Sequence, residues 1–273
     1  MLFRSDRATA LALIAAGEAW THAGLHTAPD AAPEMDRHRA GIYWGTGMGG
    51  LHTTETSYRR TMVERGLPRP MTVVRIMGNS AAAHLAIKYK LHGPNATYTV
   101  ACASSAMALG EAMLAIRAGR IDLALVGGSE AMLMPGVMAA WGKLRVLSTR
   151  EQAGEAQHAC RPFGSARTGL VIGEGAAAMV LESERHARAR SAKPLALLAG
   201  YGTTCDAGSL VLPQAPGQVA AMQQALADAG LSAAAIDTVN AHATGTDSGD
   251  IVEAQADRKS TRLNSSHEWI SRM

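Results

Sequence analysis

Residues 97–128, TYTVACASSAMALGEAMLAIRAGRIDLALVGG, constrain this chain more than any other stretch. A short β-type run (Tyr98, Thr99, Val100) leads to Cys102 and a small-residue turn, Ala103-Ser104-Ser105, which opens a helix rich in Ala, Met and Leu. Gly119 stops that helix, and the apolar run 121–126 is too short for anything but a buried strand. Strand, helix and strand within about 30 residues make a βαβ unit, which demands a parallel sheet with a helix laid over it. Cys102 then stands where a parallel strand hands over to a helix. Unpaired backbone N–H groups and the positive end of the helix dipole favour a thiolate at such a place. A cysteine acting as a small buried hydrophobe is the competing reading, and this stretch alone does not separate the two.

A second stretch far along the chain separates them. Val239-Asn240-Ala241-His242-Ala243-Thr244-Gly245-Thr246 again follows a β-type approach, and it continues into Asp250 and Glu253. ACASS with a downstream NAHATGT and D-x-x-E resembles the β-ketoacyl-acyl carrier protein synthases, the condensing enzymes of fatty acid and polyketide assembly. The resemblance runs over residues 5–257 and takes in GTGMGG (45–50), HLAIKYKLHGP (84–94), LVGGSEAM (125–132), LST (147–149), RPF (161–163) and GEGAAAMVLE (173–182), in the family's order. It implies an α/β, thiolase-like layered fold of two related βα halves, incomplete here. Residues 1–194 are expected to form the N-terminal half without its first strand, and 195–257 the beginning of the C-terminal half. Residues 258–273, RKSTRLNSSHEWISRM, contain no Ala, Gly or Val although the preceding chain is full of them. That segment reads as an artefactual or disordered tail, such as translated adapter or vector sequence, and is set apart from the fold.

Composition narrows the function classes. Hydrophobic residues make up 47% and charged residues 18%, with 28 glycines, which suits a close-packed α/β enzyme and argues against disorder. A net charge of +3 is too small to imply nucleic acid binding but is compatible with an acidic protein partner. Cys102, Cys160 and Cys205 show neither C-x-x-C nor metal-ligand spacing, so no disulfide framework and no metal site is expected, and a reducing cytoplasm is the default. Arg4 and Arg7 before ATALALIAAG imitate a secretory signal, but Glu18 interrupts the run. No run reaches the apolar length needed to span a bilayer.

In chain order, the spacing predicts an amphipathic helix over 6–23 with Leu11, Ile14, Ala15, Glu18 and Ala19 on one stripe, capped by Ser5 or Asp6. A loop follows at 28–33 and a strand at 41–44. Residues 45–50 then match G-x-G-x-x-G, but Glu64, near the distance of a ribose-binding acid, falls inside a helical stretch (54–65) rather than at the end of a second strand. The glycines are read instead as letting backbone pass close to a neighbouring segment. A small-residue helix over 77–90 carries His84, read as a hydrogen-bonded structural residue. The Met-rich stretch 132–138 is read as lining an apolar cavity, with ordinary core packing as the alternative. Further strands are expected at 169–172, 176–181, 195–201 and leading to His242, with helices at 184–192 and 218–229.

The resemblance implies a decarboxylative Claisen condensation in two half-reactions. An acyl group passes from the phosphopantetheine thiol of acyl carrier protein to Cys102, and the carbanion left when malonyl-carrier protein loses CO₂ attacks that thioester. Cys102 matches the nucleophile, and its backbone N–H would supply half an oxyanion hole. His242 matches the first of two histidines that serve the malonyl group. Thr244 and Thr246 match hydroxyls that bind pantetheine, while Asp250 and Glu253 match acidic positions near a structural lysine or bound ion. No cofactor is implied. The implied partners are acyl carrier protein and a second subunit, identical or paralogous, paired through residues 97–101. The basic stretch Arg59, Arg60, Arg65 and Arg69 is read as meeting the acidic face of the carrier, with an ordinary solvated helix face as the alternative. The family's second histidine, its lysine and the segment giving the other oxyanion N–H match positions beyond Asp257, so the expectation is that this chain at most begins the reaction. The usual Arg-Pro-Phe/Trp-Asp continues as Gly164, Arg-Asp-Gly-Phe reads Arg167-Thr168-Gly169-Leu170, and Ser209 and Val211 replace a His and a Thr. These departures suggest a specialised branch. The alternative from a different class is a non-catalytic partner resembling a chain-length factor, but such partners usually replace the cysteine that this chain keeps. A thiolase-type acyltransferase is disfavoured by NAHATGT.

Overall fold

The computed structural model describes residues 5–25, 35–149 and 154–260. The chain divides into two compact units, one of residues 1–137 and 173–197, the other of residues 138–172 and 198–273. The expected loop at 28–33 and most of the tail lie outside the described residues.

In the first unit four strands, β1 (Ala40–Gly45), β2 (Asn95–Tyr98), β3 (Leu123–Glu130) and β4 (Gly175–Glu182), form one sheet in the order β2-β1-β3-β4. β1 runs parallel to both β2 and β3, and β4 closes the edge antiparallel to β3. The helices are α1 (Arg7–His22), α2 (Leu51–Tyr58), α3 (Thr72–Ile76), α4 (Ser80–Tyr89), α5 (Ser104–Arg117) and α7 (Glu184–Ala189), with α6 (Pro135–Lys143) at the boundary between units. The βαβ unit expected around Cys102 is β2-α5-β3, and β1 lies between its two strands. Gly119, at φ +66°, ends the helix as expected.

Alternation along the strands builds two cores. Ile42, Trp44, Leu123 and Leu125 bury against α1 and α4, whereas Tyr43, Ala124 and Val126 bury against Ala108, Ala112 and Ala115 of α5. Successive side chains point to opposite faces of a strand, so a sheet covered on both sides reads as a continuous apolar run. Asp6 caps α1, accepting from Ala8 N at 3.0 Å, and ties it to α2 by accepting from Thr53 N (2.7 Å) and Thr53 Oγ1 (2.6 Å). The buried stripe of α1 is Ala8, Thr9, Ala12, Leu13, Ala16 and Trp20, not the expected one, and Ile14 is exposed. Small side chains on the buried face let the helix lie close to the sheet, which hydrophobicity alone does not reveal.

In the second unit α8 (Ala215–Ala229) packs on α9 (Asp247–Ser260). α9 takes in 258–260, the first three residues of the composition break. The strands expected at 195–201 and before His242 do not form, and the run 169–172 reduces to one bridge between Leu147 and Leu170. The backbone amides of the 198–204 run go elsewhere. Tyr201 N donates to Asp228 Oδ2 (2.9 Å) and Thr203 N to Gln224 Oε1 (3.3 Å), both on α8. A strand needs a ladder partner, and an apolar run cannot supply one by itself.

Candidate active site

Cys102 belongs to the first unit and stands on the turn between β2 and α5, immediately before the N-cap residue Ala103. It is exposed, as are Cys160 and Cys205, and none of the three is in a disulfide. The turn is tightly wound. Ala101 takes φ +46°, a left-handed conformation that costs an L residue about 1–2 kcal/mol. Ala103 N donates to Val100 O (3.0 Å) and Ser104 N to Ala101 O (3.2 Å). The buried Ser104 hydroxyl accepts from Val100 N (2.8 Å) and lies 2.6 Å from Ala101 O and 3.3 Å from Thr46 O. Beneath the turn, Gly45 and Gly128 are register partners across β1 and β3. A Cβ on Gly45 would lie 2.5 Å from the Ser104 carbonyl carbon, and one on Gly128 would lie 2.8 Å from Ser105 Cβ. Two strand-end glycines therefore let the first turn of α5 settle onto the sheet.

The 45–50 loop cradles a carboxyl group of the chain itself. Glu130 Oε2, at the end of β3, accepts from Gly47 N (2.6 Å) and Met48 N (3.1 Å). Burial pushes the Glu130 carboxyl above its ordinary value, and the Gly47 and Met48 N–H groups pull it part of the way back. The loop does precede a helix, α2, but a side chain fills its N–H cradle. His84 behaves as expected of a structural residue, with Nδ1 at 2.8 Å from Ser80 O.

The other expected site residues all lie in the second unit, and one loop and one helix bring them together. His242 is exposed. Its backbone N–H donates to Glu253 Oε1 at 2.5 Å, and that of Ala243, at φ +46°, to Glu253 Oε2 at 2.8 Å. Asp250, fully buried, accepts from Gly245 N (2.9 Å) and Phe163 N (2.6 Å). The Thr244 and Thr246 hydroxyls are 3.0 Å apart. Both carboxylates are therefore occupied by backbone N–H groups, those of residues 242, 243 and 245 and of Phe163. From the first two turns of α9 they reach back and hold the loop that carries His242. Arg167 completes the clasp, donating to Thr246 O (3.2 Å), Gly164 O (3.1 Å) and Asp247 O (2.9 Å), with Asp250 Oδ2 at 3.8 Å. Sequence reading assigned no role to Arg167 or Glu130. Arg167 lies in a motif already singled out for its departure, and Glu130 closes the run LVGGSE, but side-chain bonds to backbone some 80 residues away leave no local signature.

The same unit has a cavity of about 520 Å³ lined by Leu147, Leu170 and Ile172 among others, with Met138 its contribution from the Met-rich stretch. Met134 is buried in the first unit. Among the described residues no helix is long and apolar enough to cross a membrane, and no three His, Cys, Asp or Glu side chains are grouped to hold a metal.

The profile of the beta-ketoacyl synthase N-terminal domain matches residues 2–187. The chain belongs to the beta-ketoacyl synthase family. The profile of that family's C-terminal domain matches residues 195–271. Nodulation protein E of Rhizobium leguminosarum bv. trifolii is 42% identical over 257 residues, which cover 93% of this chain and 61% of the relative. The 3-oxoacyl-[acyl-carrier-protein] synthase 2 of Staphylococcus aureus is 36% identical over 257 residues, 93% of this chain and 62% of the relative. Among solved structures, AntDE:AntF, a type II PKS acyl-carrier protein in complex with its ketosynthase bound to the hexaketide, aligns with a TM-score of 0.87 at 31% identity, covering 95% of this chain and 64% of that one. The chain thus spans about three fifths of the length of these relatives. Its mixed α/β, thiolase-like fold is that of the solved ketosynthase.

Proposed function

We propose that the protein is a β-ketoacyl-[acyl-carrier-protein] synthase whose covalent step takes place on Cys102. The observation that carries this reading is an exposed cysteine on a strained turn at the mouth of α5, in a chain of the ketosynthase family. The Cys102 thiolate attacks the carbonyl of an acyl thioester on acyl carrier protein. A C–S bond forms, the pantetheine sulfur leaves as thiolate and takes up a proton, and the acyl group rests on Cys102. In the second half-reaction a malonyl thioester loses CO₂, and its enolate carbon attacks the acyl-Cys102 carbonyl and expels the Cys102 thiolate. His242 hydrogen-bonds the malonyl thioester oxygen as enolate character develops, and Thr244 and Thr246 hold the pantetheine arm. Asp250 and Glu253 fix the loop on which these three stand.

The carrier partner is acidic in this reading. Arg59, Arg60, Arg65 and Arg69 are all exposed around the π-helical turn after α2, and such a patch raises association rate more than affinity. A second copy or a paralogue pairs through residues 97–101.

Incubating the chain with an acyl-carrier protein thioester, then mapping peptides by mass spectrometry, tests the covalent step. The acyl adduct is expected on Cys102 and is expected to vanish in Cys102→Ala, and iodoacetamide is expected to label Cys102 ahead of Cys160 and Cys205. Equal labelling of all three cysteines, with no adduct on Cys102, overturns the reading.

A further inference from the structure

The glycine-rich loop is a motif that the proposed chemistry leaves unused, and the structure ties it to the nucleophile turn. We propose that Glu130 is a positioning residue for Cys102, acting through the 46–48 loop; the proposal rests on the reading of Cys102 as the nucleophile.

The chain of contacts is short and lies wholly within the first unit. Glu130 Oε2 gathers the N–H groups of Gly47 and Met48, and Oε1 lies 3.5 Å from Thr46 Oγ1. Thr46 Oγ1 accepts from Gly49 N at 3.0 Å, which closes the loop on itself. On its other side the loop leans on the turn. A Cβ on Gly47 would stand 3.9 Å from Ala101 Cα and 2.8 Å from Glu130 Oε2, so any side chain there would dislodge the carboxylate. The Thr46 carbonyl lies 3.3 Å from the Ser104 hydroxyl, the same hydroxyl that braces Val100 and Ala101. Ala101 is the left-handed residue immediately before Cys102. A strained conformation persists only where its surroundings over-determine it, and here the loop is one of the two surfaces that do so. The other is α5 itself.

The geometry also says which property of Glu130 matters. Oε2 takes the Gly47 and Met48 N–H groups, the Ala131 N–H also donates to the carboxyl, and Oε1 faces the Thr46 hydroxyl, which can act as donor or acceptor. A glutamine of the same length can place its carbonyl oxygen where Oε2 sits and turn its NH₂ towards Thr46 Oγ1. Aspartate is one methylene too short to reach both amides, and alanine offers nothing. Length and an acceptor are needed, and the charge is not.

The test compares Glu130→Ala, Glu130→Asp and Glu130→Gln in the full 273-residue chain, with Cys160 and Cys205 as internal controls. The readouts are the iodoacetamide labelling rate of each cysteine, and kcat and KM for acyl transfer onto Cys102. Misplacing a reacting group by a fraction of an ångström to an ångström costs between about tenfold and a hundredfold in rate. Ala and Asp are expected to slow labelling and kcat at Cys102 by that amount, with KM for the acyl-carrier thioester unchanged and Cys160 and Cys205 unaffected. Gln is expected to restore most of the rate. Ser104→Ala combined with Glu130→Ala is expected to slow Cys102 by less than the product of the two single effects, since both act through one turn. The proposal is overturned if Ala and Asp label Cys102 at the wild-type rate, if all three cysteines change together, or if Gln is as slow as Ala. Should Ala fail to fold, the contrast between Asp and Gln decides alone. A wild-type Cys102 that is neither acylated nor labelled ahead of the others removes the nucleophile reading, and this proposal with it. A preferred Cys102 indifferent to Glu130 removes this proposal only.

Discussion

Ala101 and Ala243 share one backbone conformation, φ +46°, and each neighbours the residue that the proposed chemistry needs. What surrounds them differs. The turn at Cys102 opens a helix that packs on a sheet core: Tyr43, Ala124 and Val126 are buried against α5, and Gly45 of β1 and Gly128 of β3 admit its first turn. The loop at His242 has no ladder of its own. Its backbone N–H groups at 242, 243 and 245 all go to two carboxylates of α9, and Arg167 closes over it. Strain at the first place is held mainly by packing, and at the second mainly by side-chain hydrogen bonds to the backbone. The two regions therefore answer to different perturbations.

Asp250→Ala is expected to have the largest effect. It strips a buried carboxylate from two N–H groups and leaves Arg167, only 14% exposed, without its nearest buried counter-charge. Breaking such a pair from one side costs about 3–5 kcal/mol. Hydrogen exchange followed by mass spectrometry should show protection lost over 160–170 and 240–250 and kept over 97–117. Asp250→Asn, which retains one acceptor, should lose less. Uniform loss across both regions would erase the distinction between them.

Gly45→Ala is the converse test and the next in size. The new methyl group meets the backbone of Ser104 and Ser105, which cannot yield as the end of a flexible side chain would. Overpacking of this kind costs about 1–3 kcal/mol. Protection should fall over 97–117 and hold over 240–250, with Cys102 labelling changed as well. A variant as stable as the parent would mean that packing does not hold this turn.

The same contrast explains what was legible in the sequence. The βαβ unit, its Gly119 stop, the Asp6 cap and the strand at β1 follow from local spacing and short-range chemistry, although β2 lies at Asn95–Tyr98, upstream of the β-type run read at 98–100. The residues proposed for the site in the second unit are legible only because their types and order resemble a family pattern. How they are held was not found. In the sequence Asp250 and Glu253 carry only a match to the acidic positions of that pattern. Only the folded loop shows that they turn back onto its amides. The strands expected at 195–201 and before His242 failed for a related reason. The amides of Tyr201 and His242 end on the side chains of Asp228 and Glu253 rather than on a neighbouring strand. An apolar run records a preference for burial and is silent about which partner takes the backbone.

The finest test is a pair of substitutions that relieve the same strain in both places, Ala101→Gly and Ala243→Gly. A left-handed L residue costs about 1–2 kcal/mol, and glycine gives back about 0.5–1 kcal/mol through the greater freedom of the unfolded chain. Each variant is expected to gain from a few tenths to about 1 kcal/mol. The gains should not be equal. Ala101 is exposed, so its methyl group is lost at little cost, whereas Ala243 is half-buried and forfeits part of a methyl group's burial, worth up to about 0.8 kcal/mol when complete. Denaturant unfolding should therefore rank Ala101→Gly above Ala243→Gly. Cys102 labelling adds a second dimension. If the 46–48 loop and α5 fix the turn from outside, Ala101→Gly leaves the Cys102 rate where it was while stability rises. A fall in that rate would mean that the alanine itself, rather than the surfaces packed around it, keeps the thiol in place.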